Sequence, residues 1–87
     1  MNNPRHVIKG HLHYLAFVYQ QHSLPLHIDR MVDCYEENKA LSVGELGDKL
    51  ANCLLDTHAI SDFRDDEEKK YRFQWFKAAK ELKEGGE

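Results

Sequence analysis

The chain is poor in the features that mark whole classes of protein. Only two cysteines, Cys34 and Cys53, and two prolines occur among its 87 residues, which is too few for a disulfide framework or a proline-rich linker. No stretch reaches the ~20 mostly apolar residues needed to span a bilayer. The most apolar segment, from Leu12 to Tyr19, already contains His13 and stops at Gln20 and Gln21. Near the start, Lys9, His11 and His13 interrupt the apolar residues, so no secretory core is read. The expectation is therefore a cytoplasmic protein with free thiols and no membrane partner. Neither charge sign dominates: twelve Lys and Arg stand against fifteen Asp and Glu, net −3, a balance that does not single out a nucleic-acid binder.

Motifs of familiar chemistry are also missing. The sequence has no Cys-x-x-Cys, no helical His-x-x-x-His pair and no phosphate loop ending in Gly-Lys-Ser/Thr. His11 and His13 are two apart, so on a helix they point in different directions and cannot chelate jointly. His11 falls within an apolar stripe and reads as a buried, hydrogen-bonded histidine. The expectation is no metal, no cofactor and no catalytic set, hence not an enzyme. A thiol or metal site drawn from His11, His22, Cys34 and Cys53 is the weakest alternative. The segment Glu45–Ala51 has the small-residue spacing of a first helix in a helix-turn-helix. No Arg or Lys follows from Ala51 to Ile60, so a recognition helix would lack its phosphate and base contacts.

What is present is helical periodicity throughout, with no convincing alternating strand and no internal repeat. At this length the chain makes one domain with a modest core, for which self-association is a natural supplement. The spacing predicts an all-α, four-helix bundle-like domain with helices at roughly 4–22, 26–40, 43–55 and 62–84, antiparallel where connections are short. Asn3-Pro4 supplies an N-cap followed by proline at the first helical position. The inward stripe of the first helix reads Val7, Ile8, Leu12, Tyr14, Leu15, Val18 and Tyr19. Ser23-Leu24-Pro25 breaks the chain, and Ile28, Met31, Val32 and Tyr35 then form a narrow apolar face. Ser42 and Glu45 have capping-box spacing, with Leu41 and Leu46 as the staple. Gly44, Gly47 and Ala51 flank the next stripe and predict a close helix crossing. The last helix begins near Ser61 or Asp62, ends before Gly85-Gly86, and buries Tyr71, Trp75, Ala78, Ala79 and Leu82. Its acidic beginning and basic end suit the helix dipole, and Glu68–Arg72 has favourable i, i+4 order.

Two surfaces stand out. Phe17 and Phe73 miss the inward stripes, Phe76 lies at the edge of its own, and Lys69 and Lys77 lie beside Phe73. Clustered exposed aromatics suit protein association, so these five residues are the expected partner-binding set. They predict a non-enzymatic interaction module, a small accessory regulator or inhibitor, whose nearest variant is homodimerisation through the same patch. The alternative is nucleic-acid binding through Lys69, Lys70, Arg72, Lys77 and Lys80. The second surface is an acidic face of Asp29, Asp33, Glu36 and Glu37, relieved by Arg30, which reads first as a solubilising surface.

Overall fold

The computed structural model describes residues 3–57 and 65–85. In chain order these form α1 (Pro4–Tyr19), a 3-10 turn (Leu24–His27), α2 (Ile28–Asn38), α3 (Val43–Asp56) and α4 (Asp65–Gly85). The fold is all-α, with four helices packed against one another. Each helix touches two others in the ring α1–α2–α3–α4–α1, and the most extensive contact joins α3 to α4.

The starts of α1 and α3 follow local chemistry. Asn3 Oδ1 accepts from the Arg5 backbone N–H at 2.9 Å, and Pro4 follows it as the first helical residue. Ser42 Oγ accepts from the Glu45 N–H at 3.3 Å and donates to Glu45 Oε1 at 2.9 Å. Each cap supplies an acceptor for a backbone donor that the helix itself cannot satisfy.

The first helix is shorter than its apolar pattern. It ends at Tyr19 rather than His22, because Gln20 adopts a left-handed conformation (φ 55°). The backbone N–H of Gln20 and that of Gln21 both return to the carbonyl of Ala16. A non-glycine residue pays ~1 kcal/mol or more for this geometry. In exchange the chain turns sharply enough to bury Leu24, while Leu26 two residues on stays exposed. The second α-helix accordingly begins at Ile28 instead of residue 26.

An ion pair of 2.7 Å joins Arg5 to Asp29, so the first turn of α1 lies beside the first turn of α2. A simple antiparallel hairpin would separate those turns by about 20 Å at 1.5 Å per residue. The 3-10 segment, which packs along α1, carries the chain back instead. By contrast, α3 and α4 run antiparallel: Gly47 meets Phe76 while Ala51 meets Tyr71.

The core draws on every helix: Ile8, Leu12 and Leu15 from α1, Met31 and Tyr35 from α2, Leu46, Leu50 and Leu54 from α3, and Tyr71, Trp75 and Leu82 from α4. Gly47 is the closest approach. A Cβ there would sit 3.0 Å from Phe76 Cα and 3.3 Å from the Trp75 carbonyl, so the missing side chain admits the α4 backbone. Gly44 faces open space instead. Beside this crossing the Tyr71 hydroxyl donates to the Ala51 carbonyl at 2.8 Å, and burial pushes that phenol above its ordinary value of 10.0. The expected α4 start at Ser61 or Asp62 lies outside the described residues.

Candidate functional site

The side chains that miss the core on α1 and α4 meet along one seam. Val7, His11, Tyr14 and Val18 follow one another at steps of four, three and four residues, so they share an edge of α1 beside its buried arc. Against them α4 sets Phe73, Gln74, Lys77 and Glu81. Two cavities result. One, of about 510 Å³, includes His6, His11, Tyr14, Lys77 and Glu81 in its lining. The other, of about 270 Å³, includes Tyr14, Val18, Tyr19, Lys70 and Phe73. Because both are lined by Tyr14, Gln74 and Lys77, they form one continuous groove between the two helices.

Polar contacts give the groove two unlike ends. At one, His11 Nε2 lies 3.3 Å from Glu81 Oε2, and the imidazole rests near the Trp75 ring with 6.1 Å between centroids. At the other, Lys77 Nζ lies 5.1 Å from the centre of the Phe73 ring, on which Phe76, lining neither cavity, stacks at 6.2 Å with the planes 11° apart. The lysine's placement is a cation–π contact. Tyr19 packs edge-on to Tyr71 at 6.5 Å, and its phenol is raised by burial first and then by Glu67.

These positions revise several expectations. Phe17, Phe73 and Phe76 are indeed exposed, at 81%, 54% and 40%, but Phe17 lines neither cavity. Tyr14 and Val18, expected inside, are about half exposed and take its place on the groove wall. Seven apolar residues on a sixteen-residue helix cover a wider arc than one core contact can bury. That width was the signal for a second surface. His11, expected to be buried, is only partly so and faces the groove. Lys77 lies in the groove, whereas Lys69 is exposed and lines neither cavity.

The acidic face is exposed as expected, yet it is less bare than its pattern suggests. Asp29 is paired with Arg5 at 2.7 Å and Glu36 with Lys39 at 3.0 Å, so Arg30 is not its only relief. The sequence spacing of α2 could not show Arg5, which arrives from another helix. The basic half of α4 is likewise partly committed. Arg72 reaches Asp48 at 3.6 Å, Glu68 at 3.9 Å and the Asn52 amide oxygen at 3.0 Å, and Lys83 donates to the Lys39 carbonyl.

No family model, curated protein or solved structure matches this chain. Its own geometry is what bears on function.

One further cluster lies on the opposite side of α3. Cys34 of α2 and Cys53 of α3 are neighbours on the wall of a cavity of about 440 Å³, which Arg30, Asp33, Glu37, Lys49 and Asp56 also line. Cys34 Sγ donates to the Lys49 carbonyl at 3.6 Å and receives the Asn38 amide at 3.7 Å. Burial, reinforced by the adjacent Cys53, pushes its thiol up to about 11. No histidine among the described residues lines this cavity. Among the described residues no group of three or more His, Cys, Asp or Glu is arranged to hold a metal ion.

Proposed function

We propose that this chain is a non-enzymatic interaction module, a small accessory regulator or inhibitor, that holds an apolar segment of a protein partner along the α1/α4 groove. The observation that carries this reading is the run of Tyr14, Val18 and Phe73 along one wall-to-wall groove, extended outside it by the exposed rings of Phe76, stacked on Phe73, and Phe17. Aromatic side chains offer large contact area at low conformational cost, and a groove rimmed by them is a common anchor for association. Lys70 and Lys77 line the same wall, so the reading favours a partner whose apolar anchors are flanked by carboxylates. A second copy of the chain is the nearest alternative occupant.

The test is a capture experiment from the native host with mass-spectrometric identification, run with the unsubstituted chain and with a Phe17→Ser, Phe73→Ser double variant of unchanged helicity. The expected result is loss of a specific partner, or of a concentration-dependent dimer in sedimentation, in the variant alone. Retention of every partner and of the oligomeric state overturns the reading. Nucleic-acid binding through Lys69, Lys70, Arg72, Lys77 and Lys80 is the competing proposal. It requires an affinity for DNA or RNA that falls steeply with salt, and the engagement of Arg72 by Asp48 and Glu68 weighs against it.

A further inference from the structure

Cys34 and Cys53 are nineteen positions apart in sequence and belong to different helices, yet both line one cavity, and Cys34 Sγ lies 3.6 Å from the Lys49 carbonyl, one helical turn before Cys53. Both are partly accessible, and the cavity beside them carries cations from Arg30 and Lys49 and carboxylates from Asp33, Glu37 and Asp56. A pair of core-filling thiols needs no such polar access. Among the described residues no group of three ligands holds the pair and no histidine lines their cavity, an arrangement that suits neither a metal ion nor a thiol hydrolase, whereas two neighbouring accessible thiols are what thiol–disulfide exchange requires. We propose that Cys34 and Cys53 form a dithiol site that small zwitterionic disulfides of the glutathione type oxidise, closing a Cys34–Cys53 bond that staples α2 to α3.

Cys53 releases its proton to solvent and, as thiolate, attacks one sulfur of the small disulfide, making a mixed disulfide and expelling one small thiolate, which takes up a proton from solvent. Cys34 then gives up its proton to a departing thiolate and attacks Cys53 Sγ. The mixed bond breaks, the second small thiolate leaves, and the protein has lost two electrons to the small disulfide, now two thiols. The order follows from the surroundings. The Cys34 thiol is held protonated by burial, by the Cys53 charge and by its bond to the Lys49 carbonyl, so it is a poor first nucleophile. Once Cys53 is capped, its like charge no longer opposes ionisation of Cys34, while burial still holds that thiol protonated, so Cys34 acts second, as the resolving thiol. Mixed charges around the opening match a molecule carrying both ammonium and carboxylate groups.

The experiment uses the reduced 87-residue chain in anaerobic buffers of oxidised and reduced glutathione, quenched by alkylation and read by mass spectrometry. Tryptic peptides Met31–Lys39 and Leu50–Arg64 should appear joined, at a rate independent of protein concentration. The bond should raise the melting temperature by on the order of 10 °C, from closing a loop of this length. Rapid quenching of the unsubstituted chain should show the glutathione adduct on Cys53 before the joined peptides, and Cys34→Ser should stop at that adduct. Because the order of events is read on the unsubstituted chain, a variant that fails to fold does not spoil the test. Thiols that stay free across the buffer series, separate adducts on both cysteines that never resolve, or disulfides only between chains would each overturn the proposal.

Discussion

The two sides of α4 are built in opposite ways. Toward α3 it sends the Tyr71 hydroxyl to the Ala51 carbonyl, and its backbone comes so near Gly47 that even a methyl there would force the neighbouring backbone to give by a few tenths of an ångström. Toward α1 it presents Phe73, Gln74, Lys77 and Glu81 across an open groove. Glycines make the contrast sharp: Gly47 stands at the closest crossing, whereas a side chain at Gly10, on the groove wall, would meet nothing within 4 Å. The same residue type is thus a packing requirement at one position and a local weakness at the other. Closeness of the neighbouring backbone separates them.

The largest effect should come from closing that crossing. Gly47→Leu must push α4 away from α3, and a loss of about 3 kcal/mol is expected, visible as a lower urea midpoint. Next comes Tyr71→Phe, which removes the bond to the Ala51 carbonyl and should cost about 1 kcal/mol at neutral pH. The same variant tests an alkaline effect. The folded-state phenol ionises above its ordinary value of 10.0, so its contribution is fully present below pH 10 and is lost as the pH rises beyond it. Between pH 10 and 12 the unsubstituted chain should lose more stability than Tyr71→Phe. A parallel decline from the Cys34 thiol, between its ordinary 9.0 and about 11, should persist in both.

On the groove side the signs reverse. Gly10→Ala adds a methyl in open space within a helix and should stabilise by about 1 kcal/mol in the same titration; a loss would show that the groove is tighter than its geometry. Smallest of all should be the effect of the Phe17→Ser, Phe73→Ser pair on stability, under about 1 kcal/mol, since both rings are more than half exposed. A large loss there would make the aromatic surface part of the core and remove it as a docking site.

Much of this architecture was legible before any tertiary contact was known. The buried stripe Tyr71, Trp75, Ala78, Ala79 and Leu82 follows helical spacing without interruption. Ser42 and Asn3 act as caps because the donors they satisfy lie two or three residues away. The close approach at Gly47 was also signalled, by small residues beside an apolar stripe. Less legible was the groove: Tyr14 and Val18 are apolar at helical spacing, and periodicity ranks them with Leu15 although the opposing helix covers only one arc of α1. The left-handed turn at Gln20 carried no glycine or asparagine to announce it.

The sequence by itself determined where α1 and α3 start and which residues of α3 and α4 turn inward, because caps and periodicity act over one or two turns of chain. Tertiary structure alone decided that Arg5 meets Asp29, that His11 meets Glu81 and that Cys34 and Cys53 share a cavity wall. Those encounters depend on how separate helices are laid against one another, and that arrangement is set by the shared burial of the whole core rather than by any local run of residues.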